Sequence, residues 1–472
     1  MKQRRFALPK FAHWAAPPAL ILALALIGCA GLRQGPPETS TQPANATAIN
    51  HIIIMVQENR SFDSYFAKLR DFRAANGASS DVDVEPAGAS NPADDGTAIH
   101  AFHLQTGCID NLSPDWLESH GDVNRFDPAT TTDILMDGFV HTAAGLAQFN
   151  HDFDTRGVRA MGFYDSNDLP FYYFLATQFA ISDRWFAPAP SNSEVNRIFL
   201  HEATSEGHAH KPSDSFPCCS GKTIFHELQD SNHSWKIYYT NTNPNNGNKP
   251  LTDLNDFWPS FADQHAGNIV QASQFFNDAK NGQLPQVALI QTGYLSGQDE
   301  HPGGNTPGDP NPNAGTHVQV GAQYVASFVN ALMASPSWQD SVFILFFDEG
   351  GGMYDHVPPL MNVPSPDGIP PRDLLPNDPP GDFTRTGMRV PMMVISPFAK
   401  KGFVSHTPAD YTAVLRFIEA RFQLAPLSKR DAAMMDMTEF FDFGNPPWKT
   451  PPATPAQPMT LVCDRTLLPA NP

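Results

Sequence analysis

Basic residues are scarce: 30 Lys and Arg stand against 49 Asp and Glu, a formal charge of −19. So acidic a chain repels nucleic acid and anionic lipid headgroups, and no Lys/Arg stripe interleaved with aromatics argues otherwise. Cysteine is scarce too, with five residues and no Cys-x-x-Cys, which indicates neither a zinc site nor a thioredoxin-type motif. Long apolar runs are missing. The most prominent near the start, Ala19–Ile27, falls well short of the roughly 20 residues that a membrane-spanning helix needs.

That short run belongs to a targeting segment. Lys2, Arg4, Arg5 and Lys10 form a basic region ahead of it, and Leu26-Ile27-Gly28-Cys29 follows, resembling a bacterial lipobox. The expectation is a signal peptide over 1–28 and a lipidated Cys29, with an ordinary secretory signal as the alternative. Ala30, rather than Asp, follows the cysteine, which favours the outer membrane of a Gram-negative-type bacterium, on the periplasmic or surface side. Residues 29–48, rich in Pro, Thr and Ala, read as a flexible tether. Without residues 1–28, which hold four basic residues and no acidic one, 26 basic residues face 49 acidic ones, a charge of −23. Cys108, Cys218, Cys219 and Cys463 remain, allowing three pairings in an oxidising compartment.

Two stretches carry the chemistry. Ile52–Val56 is a short apolar run of the kind buried in a parallel sheet, and it breaks into Gln57-Glu58-Asn59-Arg60. Ser341–Phe347 repeats the design and ends in Asp348-Glu349 before three glycines. Taken alone, either polar cluster is equally well a helix-start acid or an ordinary turn. If both strands share a sheet, three carboxylates and an amide converge at its edge, an oxygen-ligand site for Ca²⁺, Mg²⁺ or Mn²⁺.

Further apolar runs at Gln286–Thr292 and Val390–Ser396 read as strands. Leu169–Phe179, His317–Met333 and Pro408–Phe422 read as helices, the second burying Val320, Tyr324, Phe328 and Leu332. Alternating strands and helices predict an α/β fold with a mainly parallel sheet. The candidate residues are spread from Glu58 to His356, so no cut isolates a complete site. We therefore expect one domain with loop insertions over 49–443, followed by a proline-rich tail over 444–472.

Met55-Val56-Gln57-Glu58-Asn59-Arg60-Ser61-Phe62-Asp63 resembles the opening signature of the bacterial phosphoesterase family. That family comprises phospholipases C and acid phosphatases and is related to the alkaline phosphatase superfamily. The match continues in order through Met161-Gly162-Phe163-Tyr164, Ser193-Glu194-Val195-Asn196-Arg197, Asp299-Glu300-His301-Pro302, Asp348-Glu349 and Tyr354-Asp355-His356-Val357-Pro358-Pro359. The resemblance implies an alkaline-phosphatase-like three-layer sandwich and a phosphoric ester hydrolase. Glu58, Asn59, Ser193, Asp348 and Glu349 match the metal-ligand positions, Ser193 the nucleophile and His301 a histidine serving phosphate or leaving group. Relatives often carry Trp-Pro where this chain has Glu194-Val195, and a histidine where it has Gly350.

Ser191 is the rival nucleophile, and an ordinary helix-cap serine is the plain alternative for Ser193. Asn196 and Arg197 are assigned to shaping the nucleophile loop, with Arg197 also able to hold a phosphate oxygen. His120 is a weak phosphate-contact candidate or a surface histidine. His356, beside Asp355, is a weak substrate-contact candidate that reads rather as a supporting residue fixed by an Asp-His pair. The reading leans to an acid-phosphatase-like phosphomonoesterase, with phospholipase C action on choline lipids as the alternative. A non-catalytic binding lipoprotein is the rival from another class.

Overall fold

In the computed structural model, residues 46–213, 215–303 and 317–470 are described. The expected signal peptide, Cys29 and nearly all of the tether lie outside them. Among the described residues no helix is long and apolar enough to cross a membrane.

Ile52–Val56 do form a strand, β1 (His51–Gln57), and every residue in it after His51 is buried. It lies inside an eight-stranded sheet with β2 (Ala180–Ser182), β3 (Trp235–Tyr239), β4 (Ile269–Gln271), β5 (Val287–Ile290), β6 (Ser341–Phe347), β7 (Met392–Ile395) and β8 (Val404–Ser405). The order is β4-β3-β5-β1-β6-β7-β2-β8. The five strands from β4 to β6 run parallel, and β7 runs antiparallel to both of its neighbours. The expectation of a mainly parallel sheet holds, with a reversal at β7 that hydropathy alone does not encode.

All of β5, β6 and β7 is buried, so both faces of the sheet are covered. The helices pack in two groups: α4 (Val318–Met333) on α1 (Pro170–Gln178) and α3 (Ala272–Lys280), and α2 (Ser193–Glu202) on α5 (Thr412–Phe422). Pro170 occupies the first turn of α1, where its missing N–H costs nothing. The buried face of α4 is rotated from the expected one. Phe328 and Leu332 are inside as expected, together with Val318, Ala322, Val325 and Val329, whereas Val320 and Tyr324 are only half-buried. A helix touching two neighbours buries a wider arc than one apolar stripe suggests.

The register of β1 on β6 positions the site. Met55 pairs with Leu345 and Gln57 with Phe347, so both strands end at the same level and their polar sequels emerge together. The proline-rich tail is packed rather than loose. A Cys108–Cys463 disulfide ties it to the body, and Gln319 Oε1 accepts from the N–H groups of Thr460 and Leu461 at 2.8 and 2.9 Å. Cys218 and Cys219 bridge each other.

Candidate active site

Strand ends deliver the acids. Asp348 Oδ1 accepts from the backbone N–H groups of Asn59 (3.0 Å) and Glu349 (2.8 Å), cross-linking the sequels of β1 and β6. Asn59 has φ of +59°, a left-handed turn that asparagine tolerates better than most residues. Gly351, at φ +66°, is required here as well: a Cβ there would lie 2.2 Å from the Asn59 carbonyl oxygen.

Helix α2 delivers the nucleophile candidate. Its cap is Asn192, whose side chain accepts from the Val195 N–H and donates to Asp115 Oδ1 at 2.9 Å. Ser193 is thereby free of capping duty. Its Oγ stands 2.9 Å from Glu58 Oε2 and 3.0 Å from Asn59 Oδ1. Ser191 is buried instead and donates to the Ala209 carbonyl at 2.5 Å, which removes it from the cleft. Asn196 shapes the loop as expected: Oδ1 accepts from the Ala189 N–H, and Nδ2 donates to the Ser191 carbonyl at 2.7 Å.

Arg197, one turn along α2 from Ser193, is buried among acids. It donates to Glu58 Oε1 at 2.6 Å and to Asp348 Oδ2 at 3.3 Å, and lies 3.6 Å from Asp253 Oδ2. Burial, then the Asp348 charge, push the Glu58 carboxyl upward against the pull of Arg197. Burial and Asp348 do the same to Glu349. Glu349 Oε2 takes the Gly351 N–H, while Oε1 is buried with no hydrogen-bond partner among the described residues. Three carboxylates, an amide oxygen and a hydroxyl, with one acid oxygen unsatisfied and two acids whose charged forms are disfavoured by burial and by Asp348, suit a hard divalent cation. Tighter convergence, with ligand atoms all within 4.8 Å, occurs elsewhere, at Asp63–Asp355–His356 and at His103–Asp165–Asp168. In the first of these Arg389 already supplies the positive charge, 2.8 Å from Asp63 and 3.0 Å from Asp355.

A cleft of about 710 Å³ opens over the site, lined by Glu58, Ser193, Arg197, Tyr294 and His301 among others. His301 is thus brought into the same cleft as Ser193 from 108 residues away in sequence. Burial pulls its pKa down, opposed by the Asp348 charge.

Two weak candidates fall outside the cleft. His120 is buried, donates from Nδ1 to the Trp116 carbonyl (2.7 Å), and lines a separate 60 Å³ cavity beside Arg385. It is neither the surface histidine nor the cleft phosphate contact that the sequence suggested. Burial, then Arg385, hold it neutral by lowering its pKa to about 3. His356 is a supporting residue, but its anchor is Asp63 Oδ2 at 2.6 Å rather than Asp355, which pairs with Arg389. Sequence reasoning missed Asp253, Tyr294 and Lys211, which also line the cleft. Asp253 follows a Thr cap and carried no motif; only its buried acid character marks it in the fold.

A phosphoesterase family model matches residues 49–425. The chain belongs to the phosphoesterase family. Non-specific phospholipase C4 of Arabidopsis thaliana is 30% identical over 440 residues, covering 84% of this chain and 72% of that protein. Phospholipase C B of Mycobacterium tuberculosis (strain ATCC 25618 / H37Rv) is 28% identical, covering 86% and 80%. Among solved structures, a protein in the alkaline phosphatase superfamily from Vibrio parahaemolyticus is 15% identical, with a TM-score of 0.35 over 78% of each chain. Membership makes this protein a phosphoric ester hydrolase, the class its sequence signature implied.

Proposed function

We propose that this phosphoesterase cleaves phosphate esters by attack of Ser193 Oγ on phosphorus. The observation that carries the reading is the placement of that oxygen within hydrogen-bonding distance of both Glu58 and Asn59 at the cleft. The Oγ–P bond forms as the bond from phosphorus to the leaving oxygen breaks; the seryl proton passes to Glu58 Oε2, which accepts its hydrogen bond, and His301 gives the leaving oxygen a proton. Water then hydrolyses the phosphoserine and restores the hydroxyl. Glu58, Asn59, Ser193, Asp348 and Glu349 would hold one divalent cation. Bound there, it supplies charge neutralisation for the phosphate oxygens and for the serine alkoxide. The N-terminus of α2 adds backbone N–H groups and a favourable dipole for an anion.

Two substrate readings share this chemistry. The sequence favours a phosphomonoester, in the manner of an acid phosphatase. Relatives named as phospholipases C support a lipid phosphodiester such as a phosphatidylcholine. A non-catalytic binding role is disfavoured by the joint arrival of Glu58, Asn59, Ser193, Asp348 and Glu349 at one edge. Turnover of p-nitrophenyl phosphate is to be compared with that of p-nitrophenyl phosphorylcholine, before and after chelation with Ca²⁺, Mg²⁺ or Mn²⁺ returned singly. Loss on chelation and recovery with one ion supports the cation site; unaltered turnover after chelation removes it. Preference for the choline ester selects the phospholipase reading.

Attachment through Cys29 to a membrane, with export, belongs to the same proposal and rests on the lipobox-like Leu26-Ile27-Gly28-Cys29. Palmitate labelling lost in Cys29→Ala supports it; labelling retained overturns it.

A further inference from the structure

His301 sits in a loop with no regular secondary structure, yet the residue before it is among the most tightly held in the protein. Glu300 is fully buried and is not part of the cleft lining. Its φ of +70° is unfavourable for a residue with a Cβ, so surrounding contacts must impose it. Tyr65 OH donates to Oε2 at 2.5 Å, Tyr172 OH donates to Oε1, and Gln57 Nε2 donates to Oε1 at 3.0 Å. The Glu300 carbonyl takes two further bonds from Arg60, from Nε at 3.0 Å and Nη2 at 2.8 Å. Helix α4 leaves room for the side chain with a glycine. A Cβ on Gly321 would lie 2.1 Å from Glu300 Cγ.

These bonds have one origin in the chain. Gln57 also donates to the Gln298 carbonyl at 2.9 Å, and the Glu58 N–H donates to the Asp299 carbonyl at 2.8 Å. Residues 298–300 are therefore docked onto the end of β1, the same segment that carries Glu58 and Asn59 to Ser193. A carboxylate is an expensive way to fill a buried space, since its oxygens must each be bonded. An apolar side chain would fill it at less cost but would not fix direction. Three donors aimed at one carboxylate and two at its carbonyl fix both the position and the rotation of the next residue.

We propose that Glu300 is a positioning residue that holds His301 at the leaving-group side of the catalytic cleft, locked to the strand end that carries the nucleophile's partners. The proposal rests on the reading of His301 as the proton donor. Phenolate leaving groups such as p-nitrophenolate need little proton assistance, whereas alkoxides need it fully. Misplacing the donor is therefore felt on alkyl phosphates and spared on p-nitrophenyl phosphate.

The test compares kcat and KM of Glu300→Gln, His301→Ala and the double variant on p-nitrophenyl phosphate and on an alkyl phosphate. Tyr172→Phe, which keeps the carboxylate and removes one donor, serves if Glu300→Gln fails to fold. For Glu300→Gln the expected loss in kcat is at least about tenfold greater on the alkyl ester, with KM little changed. Added to His301→Ala, the substitution changes little further, because both act through one group. Equal losses on both esters, or full additivity, overturn the proposal and leave Glu300 a packing residue. If His301→Ala itself spares the alkyl ester, the donor assignment fails, and the positioning role with it.

Discussion

Ser193 Oγ lies 2.9 Å from Glu58 Oε2 although 135 residues separate the two in the chain. Glu58 comes to that point on the end of a buried parallel strand, and Ser193 on the first turn of a helix capped by its own neighbour, Asn192. Neither local element requires the other, so the contact is a product of the fold.

Arg197 is the internal counter-ion of this site. Arg197→Met leaves Glu58, Asp348 and Asp253 buried without their cation, and breaking such a cluster costs about 3–5 kcal/mol. A bound divalent ion offsets part of that loss, because it stabilises only the folded form. Urea midpoints of native and variant protein, with and without chelator, are expected to differ most after chelation. An equal difference under both conditions separates Arg197 from the cation site.

The tail is stapled by a bridge between residues 355 positions apart. Cys463→Ser is expected to cost about 2–4 kcal/mol through the unfolded chain's added freedom. Limited proteolysis is expected to cut first within 444–470, before the sheet. A melting temperature and cleavage pattern identical to native contradict this.

Glu202 offers a pH test outside the cleft. Burial, then the charges of Glu206 and Asp367, raise its carboxyl from 4.5 to about 9. The folded protein therefore keeps a proton that the unfolded chain releases above pH 4.5. That contribution is fully present below the unfolded value and is lost as pH rises toward the folded one, by at most about 1.4 kcal/mol per pH unit. Glu202→Gln stays neutral, so its stability should match native near pH 4.5 and exceed it increasingly up to about pH 8. Parallel stability curves for the two proteins contradict the shift.

Much of this was readable in the chain because the informative segments are local. The Ile52–Val56 and Ser341–Phe347 runs declare buried strands, and each polar sequel marks a strand end. What was not readable depends on distant partners. Nothing in Met392–Ile395 states that it runs against β6, since apolar runs carry no direction. His356 stands next to Asp355 in sequence, yet Arg389 claims that acid and Asp63 takes the histidine. His120 lay in a stretch without apolar periodicity, but Trp116 one turn earlier covers it with a ring 4.7 Å away. Glu300 read as one letter of a motif; its weight comes from Tyr65, Tyr172 and Gln57, each on a different element or turn.

The central claim is that Ser193 becomes covalently phosphorylated. The most direct measurement is mass spectrometry of peptides from enzyme quenched in acid during turnover of a phosphate ester. A phosphate on Ser193, absent without substrate, is the expected result, together with a Ser193→Ala variant slowed by several orders of magnitude while still binding a phosphate analogue. A phosphate trapped on Ser191, or a Ser193→Ala variant with full activity and no trapped phosphate, would contradict the account.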